Sequence, residues 1–140
     1  MNWHLLHPAV VHFPLALVPV GLAGAVAARL WKGSPPWLDE AAAALLWLGT
    51  LAAWVSVALG LVAEETAPHV PMAWETLARH ERLAFWTAGL LTAASMWRKF
   101  FPARHRGVFL AAWGAAAALL VATAYLGGEL VFRHAVGVLR

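Results

Sequence analysis

Residues 13–28, 41–63 and 107–128 of this chain carry no charged side chain. A membrane span needs roughly 20 apolar residues, so three crossing helices are implied. A fourth stretch, Leu83 to Trp97, is shorter than a hydrocarbon core of about 30 Å requires at about 1.5 Å per residue. Its helix must extend back through Arg79, His80 and Glu81, which draws His80 toward the membrane boundary. Composition agrees. The 140 residues are 62% hydrophobic and 12% charged, with a mean hydropathy of +0.69. These values exclude an ordinary soluble globule.

The links between the apolar stretches are short. Residues 32–40 hold a Pro-Pro turn, with Asp39 placed to begin the next helix, and residues 98–106 form a basic loop around Pro102. Short links force neighbouring helices antiparallel. The expected fold is an all-α membrane protein, an up-down four-helix transmembrane bundle. It is one domain over residues 1–140, with spans near 8–31, 40–63, 80–98 and 107–133. Pro14 and Pro19 each remove a helical hydrogen bond, which predicts a kinked or late-starting first helix. Gly21, Gly24, Gly49, Gly60, Gly89 and Gly114 are expected to let helices approach closely.

Charge suggests an orientation. Arg29, Lys32, Arg98, Lys99, Arg104 and Arg106 fall at one end, and Arg79, Arg82, Arg133 and Arg140 at the other. The positive-inside rule makes the first end cytoplasmic. Both termini would then face the periplasm across a bacterial inner membrane. The start, MNWHLLHP, has no basic residue, so the first segment reads as mature structure rather than a cleaved signal. The sequence pI is near 10.2, but the basic residues are few and sit as membrane anchors, so no nucleic-acid partner is expected.

Six of the seven histidines fall at the periplasmic end: His4, His7, His12, His69, His80 and His134; only His105 goes to the other. Imidazole near a lipid core is costly and is commonly retained for metal, haem or proton chemistry. His12, His80 and His134 come from three different helices, with His7 in reserve. Three readings are open. In the first, a non-covalent b-type haem is held by His12 and His80. His134 is then an assisting or alternative ligand, Gly127 and Gly128 leave room for a flat ligand, and Arg79, Arg82 and Arg133 hold the propionates. In the second, copper or zinc is held by these histidines with Glu64. In the third, the chain is a non-catalytic subunit or assembly factor and its histidines are satisfied by headgroups and water. His7 and His12 lie about 140° apart on an ideal helix and should not share a face. The chain has no cysteine, which excludes a covalent c-type haem and thiolate sites. Nothing surrounds Ser34, Ser56 or Ser95 that would make a hydrolytic triad. The balance leans away from an enzyme, toward electron transfer or binding.

Two motifs add to this. HPAVVHFPLAL (His7 to Leu17) and GGELVFRHAVGV (Gly127 to Val138) resemble the bacterial membrane family known as domain of unknown function 2231. The resemblance runs end to end and implies four spans with a histidine near the start of the third. It implies roles for His7, His12, Gly127, Gly128 and His134, and a glycine where this chain has Ala135. Relatives fused to Rieske-type or cytochrome c domains imply a redox setting. A quinone or a periplasmic redox protein is the expected partner, in contact with the bilayer and with homo-oligomers open.

Overall fold

The computed structural model describes residues 5–67, 69–101 and 105–137. His4, Arg104 and Arg140 lie outside them. The described residues are helical throughout: α1 (Leu6–Val10), α2 (His12–Leu30), α3 (Pro36–Thr66), a 3-10 turn (Pro71–Ala73), α4 (Trp74–Phe100) and α5 (Arg106–Phe132). Val11 separates α1 from α2, and the expected irregularity falls there. Pro14 has no N–H to give the carbonyl of Val10, so the helix loosens one turn before it. The Val11 amide still reaches His7 O at 3.1 Å, and Leu15 reaches Val11 O at 3.4 Å. The chain therefore turns without breaking.

Leu6–Leu30, Pro36–Thr66 and Arg106–Phe132 are each long and apolar enough to cross a membrane. α4 is different. It begins at Trp74, further back than the predicted span, and its 27 residues reach about 40 Å. Its first turns carry Arg79, His80, Glu81 and Arg82, so length rather than composition suits it to the bundle. α3 also overruns its predicted bounds, opening at Pro36 after Pro35. Proline suits that position because its missing N–H would be unpaired anyway.

α2 packs chiefly on α3, and α4 chiefly on α5. The contacts α3–α4 and α2–α5 join these two hairpins. The inner face is built from small residues: Ala42, Gly49, Thr50, Ala53 and Ser56 on α3, Ala88, Ala94 and Ser95 on α4, and Ala116 and Ala117 on α5. Large side chains such as Trp47, Leu51, Trp54, Trp86, Val121 and Tyr125 face outward. That distribution suits lipid, where helices associate through close backbone approach rather than by hiding apolar bulk. Trp113 is the large exception, 1% exposed at the centre. A Cβ on Gly21 would stand 2.9 Å from its Cζ2, and a Cβ on Gly49 would stand 2.7 Å from Val18 Cγ2. Those two glycines are close-approach positions, as expected. Gly89 and Gly114 are not: a Cβ on either meets nothing within 4 Å.

Hydroxyls tie the hairpins together. Thr50 Oγ1 donates to Leu46 O at 2.8 Å and lies 2.9 Å from Ser95 Oγ, and Trp54 Nε1 donates to Thr92 Oγ1 at 2.9 Å. At one end of the bundle, Asp39 on α3 receives Arg98 of α4 at 2.9 Å and also Arg106 of α5, and Glu40 lies 3.4 Å from Arg98. We call this the arginine end. The opposite end carries the histidines.

Candidate functional site

At the histidine end two imidazoles meet. His7, in the first turn of α1, donates its Nδ1–H to the carbonyl of Ser56 on α3 at 2.9 Å. His80, in the second turn of α4, donates its Nδ1–H to the carbonyl of Thr123 on α5 at 2.8 Å. A carbonyl only accepts, so the proton sits on Nδ1 of each ring. In the neutral form of each ring Nε2 is then the nitrogen with the free lone pair. The ring centres are 6.1 Å apart and the planes stand at 89°.

The neighbouring helices are shaped to seat the rings. A Cβ on Gly60 would lie 3.2 Å from His7 Cε1, and a Cβ on Gly127 would lie 3.2 Å from His80 Cε1. Each glycine follows the accepting carbonyl by one helical turn, so ring edge and hydrogen bond fall on the same stripe. The hydroxyls of Ser56 and Thr123 are absorbed by their own helices, donating to Ala52 O and Leu119 O at 2.8 Å each. Thr87 Oγ1 sits 3.3 Å from Thr123 Oγ1, closing the polar layer beneath His80. The glycine stripe on α3 and the histidine on α4 were legible in the sequence. The partnership of His7 with Ser56 and Gly60 was not.

The other expected ligands fall elsewhere. His12 opens α2 with an exposed side chain that makes no hydrogen bond or ring contact among the described residues. The pair brought together is therefore His7–His80, not His12–His80. The separation of about 140° between His7 and His12 explains why only one of them turns inward. His134 is half-buried in the turn after α5, where its own amide reaches Glu129 O at 3.3 Å. Gly127 lies beneath His80 instead of His134, and the nearest atom to a Cβ on Gly128 is Phe132 Cδ2, at 4.0 Å. Glu64 is exposed at the end of α3. Among the described residues no three His, Cys, Asp or Glu side chains converge, so Glu64 with three histidines is not assembled. Arg79, Arg82 and Arg133 are all exposed at this end. Arg79 pairs with Glu75, and Arg133 lies 3.5 Å from Glu129. Arg82 donates to Ala78 O at 3.2 Å and pairs with no carboxylate among the described residues.

Fold and site together define a small helical membrane protein whose ionisable groups gather at the two ends of one bundle, with a histidine pair at one of them. The chain belongs to the family described as a predicted membrane protein, DUF2231, whose model matches residues 3–140. No curated protein and no solved structure matches it.

Proposed function

We propose that this chain is a membrane-anchored b-type haem protein whose iron is held by His7 and His80, and that it passes electrons at the periplasmic face. The carrying observation is the donor set: two imidazoles with centres 6.1 Å apart, each with its Nδ1–H tied to a backbone carbonyl. Metal-bound histidines commonly donate their other N–H in this way, which fixes tautomer and orientation. The 6.1 Å between ring centres is short enough for both rings to reach one metal ion.

The number of donors favours haem over a bare ion. Structural zinc takes four protein ligands and catalytic zinc three, whereas a haem would ask this chain for no more than two. His7 and His80 would suffice to hold a haem and would leave zinc short. When bound, haem supplies one-electron chemistry. The chain's residues do the rest. His7 and His80 would hold and orient the group, the carbonyls of Ser56 and Thr123 fix the orientation of both rings through Nδ1–H, and the apolar bundle limits water. Arg82, uncommitted to a carboxylate, is the first choice for a propionate; Arg79 and Arg133 would exchange partners to help. A lipid-borne quinone or a periplasmic redox protein would exchange the electron.

The experiment is an absorption spectrum of protein purified from a haem-sufficient host, with dithionite difference. A Soret band that is lost in His7→Ala and in His80→Ala, and kept in His12→Ala, is expected. No Soret band sinks the proposal. Colourless protein with stoichiometric copper or zinc, lost in His7→Ala, would replace it with the metal reading.

A further inference from the structure

The two hairpins share one register. Pro14, Val18 and Gly21, buried on α2, correspond to Thr87, Leu91 and Ala94, buried on α4, by the same shift that takes His7 to His80. On α3 the buried residues are Ala42, Leu46, Gly49, Thr50, Ala53 and Ser56. They fall one for one on Phe109, Trp113, Ala116, Ala117, Leu120 and Thr123 of α5, by the shift that takes Gly60 to Gly127. Any two amphipathic helices agree at some shift. Here the shift that superposes the two histidine seats also superposes the buried faces. Ser56-Val-Ala-Leu59-Gly60 and Thr123-Ala-Tyr-Leu126-Gly127 spell the same motif.

Topology agrees. Both first helices run from the histidine end to the arginine end, so the hairpins are parallel repeats about an axis along the bundle. Exchanging them exchanges α2–α5 with α4–α3, so the pattern of neighbours is unchanged.

We infer that the chain is a duplicated helical hairpin, and that the His7–His80 site is one two-fold site made of two equivalent half-sites. Each half-site is an imidazole, a Ser or Thr carbonyl, and the glycine one turn on. Its ligand is a single metal centre that accepts two opposed nitrogen donors. That ligand class rests on the haem reading; the equivalence of the halves does not. Gly60 and Gly127 are positioning residues, since a methyl on either would push its ring away from the axis.

The test is 15N NMR of histidine-labelled full-length protein in detergent, with ring signals assigned by loss in His7→Gln and His80→Gln. Both rings should show the neutral, Nδ1-protonated form. Gly60→Ala should shift His7, and Gly127→Ala should shift His80, by the same amount. The paired exchange Ser56→Thr with Thr123→Ser moves one methyl from the His80 seat to the His7 seat, adds no bulk in total and should leave both signals in place; it serves where an alanine variant does not fold. A response confined to one ring, or loss of either Nδ1–H signal in the exchange variant, overturns the duplication. Added hemin separates the two ideas. Equal ring responses without hemin uptake keep the two-fold site and sink the haem reading. Uptake with one-sided responses does the reverse.

Discussion

The two ends of the bundle handle buried polarity in opposite ways. At the arginine end, Asp39 receives Arg98 and Arg106 and Glu40 lies beside Arg98, so charge meets opposite charge within the protein. At the histidine end, two imidazole rings are each held by a backbone carbonyl with no carboxylate paired to either among the described residues. The first arrangement is closed and ties α3, α4 and α5 together. The second joins α1 to α3 and α4 to α5 through ring-to-carbonyl hydrogen bonds. The arginine end also departs from the repeat, because Arg98 stands where α2 has the buried Ala25. The ends therefore diverged in different senses: one lost its symmetry to an ion cluster, while the other kept it around the rings.

Asp39→Ala should break the comparison hardest. It leaves two guanidiniums facing one another with side chains 13% and 28% exposed. Removing one partner of a fully buried pair costs about 3–5 kcal/mol, and partial exposure lowers the expectation here to roughly 2–4 kcal/mol. Thermal unfolding in detergent measures it. The His7–His80 site should survive below the new midpoint, and a loss of ligand without loss of stability would show that the ends are coupled.

Packing sets the next scale. Gly21→Ala drives a methyl against the rigid, buried indole of Trp113, and Gly49→Ala drives one against Val18. Overpacking of this kind costs about 1–3 kcal/mol. Gly89→Ala and Gly114→Ala meet open space and should be neutral or stabilising by up to about 1 kcal/mol, through helix propensity. If the melting temperatures of all four variants fall together, the assignment of close-approach positions is wrong.

His80→Ala should have the reverse profile of Asp39→Ala. Thr123 O loses a single neutral hydrogen bond, worth about 1 kcal/mol, yet the open valence disappears. The expected result is a nearly unchanged melting curve with complete loss of the Soret band. A large loss of stability with the band retained would make the imidazole a structural peg.

The architecture was legible because it rests on length and charge, which a sequence displays directly. Residues 41–63 and 107–128 could only be spans, and the short third stretch announced that α4 would reach back past His80. The site was half legible. Ser56 and Gly60 stood on one stripe, and Gly127 was marked as a place for a flat group, but its ring comes from His80 and not His134. Which histidine near the N-terminus turns inward depends on the bend at Val11, and a helical wheel cannot supply that. The repeat escaped because its buried positions share size and place rather than identity: Leu46 corresponds to Trp113 and Gly49 to Ala116. Only a burial pattern shows it.

The smallest effect tests the edge of the histidine end. Ala135 has φ 54°, the left-handed region, where a Cβ costs roughly 1–2 kcal/mol. The turn holds it there: its amide reaches Val131 O at 3.1 Å and that of Val136 reaches Leu130 O at 2.9 Å. This is the position where the family resemblance implies glycine, and the backbone explains why. Ala135→Gly removes the clash but adds freedom to the unfolded chain, so a net gain of about 0.5–1 kcal/mol is expected, read as a rise in melting temperature. His134 is its neighbour but touches neither ring of the pair among the described residues. The haem spectrum should therefore stay unchanged while stability rises. A spectral shift would bring His134 into the site and end the division between a two-fold pair and its surroundings.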